Sequence, residues 1–334
     1  MAKAPAKKAA KKTKAKSNAE ETKLAKKAAA KKPAAKKAAA KKPAAEKAAA
    51  KKGKNISGYG MGSVDVVMSV DQVAKEAAAI AANRPSLDQL TSLARNDSFL
   101  VIDTLCAGYG KMQILHDFTL HVAKGQSLCL IGPNGAGKST VLHSIFGFTN
   151  IFSGKIAIKG KDVTNLTPSQ KLSEAGIAYI LQDKSVFPGM TVEENLLMGG
   201  FLKDKPAEAK AAAEMVFDKY SRLAERRDKP AGVLSGGERR LLEISRALVM
   251  NPEVLLVDEP SIGLEPRFID MVFEILHDLQ HKDGKTIVMV EQNAKKGLEF
   301  ADLGYVLVSG ETAMADDGND LLKNPDVGRL FLGG

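Results

Sequence analysis

The sequence predicts an α/β domain: a parallel sheet covered by helices, with a phosphate-binding loop where one strand hands over to a helix. Three observations predict it. The run Gly132-Pro133-Asn134-Gly135-Ala136-Gly137-Lys138-Ser139-Thr140 satisfies G-x-x-x-x-G-K-[ST] in full. The apolar stretch before it, residues 127–131, suits a buried strand, and residues 141–146 after it continue as a helix. A second continuous apolar run, residues 254–257, ends on Asp258-Glu259-Pro260, as a central parallel strand buried on both faces would.

Taken in order, the first 54 residues are of low complexity. Of the 49 Lys+Arg and 39 Asp+Glu in the 334-residue chain they hold 20 Lys, no Arg and 3 Glu, so they carry +17 and leave the remainder at −7 of the net +10. A ten-residue unit, 28–37, recurs in a near copy. Low hydrophobicity, high charge and spaced prolines predict a disordered, basic Lys/Ala-rich tail over 1–54. Its composition resembles the arms of linker-histone-like proteins and suits polyanions, either nucleic acid or an anionic membrane surface; a solubilising extension with no dedicated partner is the alternative. Absence of arginine argues against a mitochondrial presequence, and no apolar core follows the lysines as a secretory signal requires.

Residues 55–98 read as a linker with short helices. Gly58-Tyr59-Gly60-Met61-Gly62 has no strand ahead of it to make a dinucleotide loop. Two short helices fit between residues 70 and 95, the second opened by a capping box, Ser86 to Gln89. The body is then 99–334, ample for one α/β domain with a helical insertion.

Within it, residues 99–102 open a strand, 105–110 bring Tyr109 to a loop, and 114–122 form the second strand of an edge layer. Strands follow at 154–158 and 176–181, the latter with Gln182 at its end. A helical subdomain spans about 183–233, with a capping box at Thr191 to Glu194 and a buried face of Ala213, Val216, Phe217, Tyr220 and Leu223. Ser235-Gly236-Gly237-Glu238 is a further capping box, opening a helix that bears Leu241, Leu242, Ser245, Leu248 and Val249. Its free amides and the Ser235 hydroxyl make a second anion site, turned away from the chain's own phosphate loop. Residues 286–291 form the next strand, ending at Gln292.

The loop's chemistry follows from its residue types. Glycine amides and the helix dipole converge on phosphate oxygens, Lys138 adds a point charge, and Ser139 offers a hydroxyl to Mg²⁺. Asp258 can hold the metal's water shell beside Ser139, and Glu259 can polarise an attacking water.

The order of these segments resembles that of the ATP-binding cassette (ABC) ATPases, a P-loop NTPase fold with an edge antiparallel β-layer and a helical subdomain. The resemblance implies ATP and Mg²⁺ as cofactors, bound by Tyr109 stacked on adenine, by residues 132–140, and by Gln182. It makes Ser139, Gln182 and Asp258 the metal contacts, and Glu259 and Gln292 the catalytic pair. Ser235, Gly236 and Gly237 become the signature that serves the nucleotide of a second cassette. Two departures stand out: Glu265 where many members have Asp, and Gln292 where most have a γ-phosphate-contacting histidine. Residues 290–294, 190–196 and the closing Leu332-Gly333-Gly334 look like the ATP-binding subunits of branched-chain amino acid importers.

That subfamily implies a cytoplasmic ATPase, peripheral on the cytoplasmic face of the inner (plasma) membrane. Its partners would be transmembrane permease subunits, a second ABC ATPase subunit of the same or a different chain and, indirectly, a periplasmic substrate-binding protein. Urea or short-amide importers have similar cassettes. A non-transport cassette protein acting on nucleic acid through its tail is a different class; one cassette per chain and no long coiled-coil arm argue against it. No apolar run reaches the ~20 residues needed to cross a bilayer. Cys106 and Cys129 read as reduced, buried thiols.

Overall fold

The structure is a computed structural model that describes residues 84–182 and 185–331. The tail, the glycine-rich linker, the first short helix and residues 332–334 lie outside the described residues. The first element, α1 (Leu87–Leu93), is capped by Ser86, whose hydroxyl accepts from the Gln89 amide. Only half of the expected capping box forms, because Gln89 Nε2 donates to the Ala315 carbonyl at 3.3 Å instead. Sequence placed this helix in the linker. Leu90 is buried in the main core and Gln126 Nε2 donates to Leu93 O, so α1 is packed onto the domain.

The chain continues through β1 (Ser98–Tyr109), β2 (Met112–Ala123), β3 (Ser127–Ile131), α2 (Lys138–Phe146), β4 (Asn150–Ile158), β5 (Lys161–Asp162), α3 (Pro168–Ser173) and β6 (Ile177–Ile180). The helical insertion follows, α4 (Val192–Gly199), α5 (Pro206–Lys219) and α6 (Ser221–Ala224), and then α7 (Gly236–Leu248) and β7 (Val254–Asp258). The last elements are α8 (Pro266–His281), β8 (Thr286–Val290), α9 (Ala294–Phe300), β9 (Leu303–Val308), β10 (Glu311–Asp317), α10 (Gly318–Lys323) and α11 (Pro325–Phe331).

Two sheets result. The edge layer is antiparallel in the order β2-β1-β4-β5, and the central sheet runs β10-β9-β3-β8-β7-β6 with only β10 antiparallel to its neighbour. The strand expected at 99–102 runs on through the stretch expected to lead into a loop, as one strand bent at Thr104, where φ is 44° and the register with β2 shifts. Every residue of β3, β7 and β8 is buried, which is why their sequences are unbroken apolar runs.

One core lies between the two sheets, around Leu100, Phe118, Leu128, Leu256 and Tyr305. A second lies on the other face of the central sheet, around Ile131, Leu255, Val272, Leu276 and Met289. The helical insertion has its own, built on Val192, Leu196, Ala213, Phe217, Leu223, Leu241 and Leu242. The predicted capping boxes at Thr191, in the insertion, and at Ser235, ahead of α7, both form. Tyr220 is only half-buried, because it stands at the break between α5 and α6.

Fully buried Lys171 donates to the Ser144 and Ile145 carbonyls, closing the carboxyl end of α2, and burial brings its pKa down to about 8. Cys129 is buried as expected. Cys106 is half-buried, with its Sγ 3.4 Å from Asp117 Oδ1, which corrects the expectation for that thiol. No described helix is long and apolar enough to cross a membrane.

Candidate active site

β3 delivers the chain into the phosphate loop, and Gly137, in the left-handed region at φ 101°, is the N-cap of α2. Only glycine fits at Gly132: its φ is 145° and a Cβ there would lie 2.2 Å from the Leu307 carbonyl oxygen. The loop is thus pressed against β9, and the Gly310 amide donates to Ala136 O at 2.9 Å. Pro133 is half-buried, Asn134 and Gly135 are exposed at the rim, and Ala136 and Thr140 are buried beneath it. Lys138 Nζ donates to the carbonyls of Gly132 (2.8 Å) and Pro133 (3.0 Å), so the ammonium is held by its own loop. Burial lowers the Lys138 pKa, opposed by the charges of Glu259 and Asp258.

At the end of β7, buried Asp258 is gripped from two sides. Its Oδ1 accepts from Ser139 Oγ at 3.3 Å, and its Oδ2 from the Tyr179 hydroxyl at 2.7 Å. Sequence reasoning missed Tyr179, which no motif marks. Its ring packs among His143, Phe146 and Phe148, and burial pushes its pKa up, so it stays a donor. Glu259 follows with φ 44°, its amide donating to Val290 O at 2.8 Å and its Oε2 accepting from Gln182 Nε2 at 2.7 Å. Burial, then the charges of Asp258 and Glu291, raise the Glu259 pKa, making it a better base than an ordinary carboxylate.

Ser139 and Asp258 together offer hard oxygen donors, and the described residues gather no group of three or more His, Cys, Asp or Glu. A pair of this kind fits Mg²⁺, which keeps several waters and takes further oxygens from phosphate. Gln182 lies two residues beyond β6, exposed, with its amide on Glu259.

The signature turn sits at the start of α7. Ser235 Oγ accepts from the Glu238 amide and donates to Glu238 Oε2 at 2.8 Å, so an incoming anion must compete with that carboxylate for the hydroxyl. Gly237 is buried against Phe268: a Cβ there would stand 2.2 Å from the ring. Gly237→Ala is therefore expected to cost ~1–3 kcal/mol of stability through overpacking. A lowered midpoint in denaturant unfolding checks it; an unchanged midpoint means that Phe268 moves freely.

Sequence reasoning also missed Arg240 on this helix. Its guanidinium, 4% exposed, donates to the Leu181 carbonyl at 2.7 Å and to Glu243 at 2.9 Å, and Arg246 donates to Ser185 O. The signature helix therefore holds the chain on both sides of the loop that begins at Gln182. The only sequence signal was a basic–acidic i, i+3 pair on an otherwise apolar face.

Tyr109 is the last residue of β1 rather than part of a loop, paired with Met112 across a tight hairpin. It is exposed, and its hydroxyl bonds His143 Nδ1 on α2. Gln292 is exposed in a turn, with its carbonyl accepting from the Ala294 amide. β8 stops at Val290, one residue short of the expected end, because Glu291 turns inward. Glu265 is the N-cap residue of α8 without a side-chain cap bond, and it pairs instead with Arg267 at 3.0 Å.

A glycine loop feeding a buried helix, with a strand-end Asp beside its Ser and a basic Glu next in sequence, defines a P-loop nucleotide hydrolase. Comparison with known proteins narrows the class. A family model described as ABC transporter matches residues 115–262. The chain is 44% identical over 235 residues to the high-affinity branched-chain amino acid transport ATP-binding protein BraG of Pseudomonas aeruginosa, spanning 70% of this chain and 100% of that one. It is 38% identical over 229 residues to the probable branched-chain amino acid transport ATP-binding protein LivF of Archaeoglobus fulgidus, spanning 69% and 96% respectively. A solved nucleotide-free ATP-binding cassette from an ABC transporter superposes with a TM-score of 0.62 at 30% identity, over 71% of this chain and 100% of that one. The chain belongs to the ATP-binding cassette family: it is an ABC-type ATPase.

Proposed function

We propose that the chain binds MgATP on residues 132–140 with adenine against Tyr109, and hydrolyses it to energise import of branched-chain or other hydrophobic amino acids. The observation that carries the catalytic reading is the convergence of Ser139, Asp258, Glu259 and Gln182 through hydrogen bonds of 2.7–3.3 Å at the mouth of the phosphate loop. The names of the relatives support the solute. Bound between Ser139 and Asp258, Mg²⁺ would neutralise charge on the β- and γ-phosphates. Lys138 leaves its loop carbonyls for the phosphates, Glu259 takes the proton of the attacking water, and Gln182 orients that carboxylate. Ser235, Gly236 and Gly237 complete the site of a second cassette, and permease subunits of the membrane receive the stroke on its cytoplasmic face. The domain plan in this reading is a basic tail over 1–54, a linker, and one cassette whose helical subdomain is 183–233.

In this reading Gln292 replaces a titratable switch with an amide that donates and accepts but carries no charge. Gln292→Ala should lower single-turnover hydrolysis several-fold, since a contact of this kind is worth ~1 kcal/mol or more to charged phosphate. Gln292→His should change it little. An unchanged rate in Gln292→Ala would reduce Gln292 to a surface amide. Purification of the chain from membranes with its partners, identified by mass spectrometry, tests the transport reading; absence of any permease among them counts against it.

A further inference from the structure

Glu291 lies in the run 290–294 without a role assigned to it, yet it is the most completely engaged carboxylate beside the site. It is 2% exposed, and its side-chain partners among the described residues are hydrogen-bond donors rather than cations. Three hydrogen bonds hold it: Oε1 accepts from Ser261 Oγ at 2.7 Å and from the Asn293 amide at 2.9 Å, and Oε2 from the Ser261 amide at 3.3 Å. A buried charge without a counter-ion persists only when hydrogen bonds replace its hydration. These do so with donors from two different loops.

The positions of those donors matter. Ser261 is two residues past Glu259, and Asn293 is the neighbour of Gln292. The β7–β8 ladder ends at the pair Asp258 and Val290, and the Glu259 amide adds one more bond to Val290 O. Beyond that point the two chains diverge, and the Glu291 side chain takes over the stitching. α9 closes the space behind it: a Cβ at Gly297 would lie 3.1 Å from Glu291 Cβ and 2.6 Å from Cys129 Sγ. None of the three donors belongs to residues 132–140.

We propose that Glu291 is a positioning residue that locks the loop after Glu259 to the turn carrying Gln292, so that both reach the γ-phosphate as one unit. The proposal rests on the roles given above to Glu259 and Gln292. Because none of the donors it holds belongs to the phosphate loop, the link acts on turnover and not on nucleotide affinity.

The test is steady-state ATP hydrolysis by the assembled complex carrying the full-length chain. Glu291→Ala is expected to lower kcat at least about tenfold, in line with losing hydrogen bonds to a charged group, with KM for ATP within about twofold of wild type. Glu291→Gln, which still accepts from Ser261 Oγ, should recover most of that loss. Ser261→Ala should reproduce part of it, and the double variant Ser261→Ala/Glu291→Ala should be no worse than Glu291→Ala, since both break one link. Wild-type kcat in Glu291→Ala or in Ser261→Ala, a raised KM at unchanged kcat, or additive losses in the double variant would each overturn the proposal. Should Glu291→Ala fail to fold, Ser261→Ala and Glu291→Gln decide alone. Full activity in Glu291→Ala beside an inactive Glu259→Gln overturns only this link, whereas near-normal turnover in Glu259→Gln overturns the reading of the base beneath it.

Discussion

Lys138→Ala is expected to abolish measurable ATP binding. The ammonium is held by the carbonyls of Gly132 and Pro133, at the mouth of the loop that the phosphates enter. Truncation removes the only side-chain cation of residues 132–140 and leaves two carbonyl oxygens facing an anion without their donor. Hydrogen bonds to charged groups are worth ~1.5–3 kcal/mol each, so losing contacts to two phosphates costs at least about 150-fold in affinity. Titration calorimetry of the variant against wild type checks this. Wild-type affinity would remove the phosphate-binding role from the loop.

Glu259→Gln is expected to bind MgATP normally and to hydrolyse it ~10²–10⁴-fold more slowly, the range of a lost general base. The substitution is isosteric, and its amide oxygen can still accept from Gln182, so the site keeps its shape. What disappears is a carboxylate whose basicity burial raises. With the phosphate loop and the signature untouched, ATP should then hold two cassettes together, seen as a doubled mass in light scattering that depends on ATP. Turnover near wild type would move the base elsewhere.

These two residues were legible in the sequence because their chemistry is local. A phosphate loop and a strand-end acid pair are each written in fewer than ten consecutive residues, and the strands that carry them are unbroken apolar runs. The residues that hold the site in place were not legible, since their partners lie far along the chain. Tyr179 meets Asp258 across 79 positions and Arg240 meets Leu181 across 59, and neither pairing leaves a spacing to read. Element ends failed for a related reason. Residues 286–291 are all compatible with a strand, but the Ser261 hydroxyl captures Glu291 and ends β8 early. Likewise Gln89 suits a capping box by spacing, but its side chain is turned to donate from Nε2 to the Ala315 carbonyl. The helical insertion, by contrast, was read correctly in its cap and, Tyr220 apart, in its buried face, because helix periodicity and capping boxes are short-range signals.

The central claim is that ATP hydrolysed at this site drives import of a branched-chain amino acid. It is tested most directly by uptake of radiolabelled leucine into proteoliposomes holding the complex that copurifies with this chain, with ATP on the cassette side. The account predicts uptake that requires ATP and is abolished by Lys138→Ala and Glu259→Gln in this chain. ATP hydrolysis without leucine uptake, or leucine uptake that survives Lys138→Ala, would contradict it.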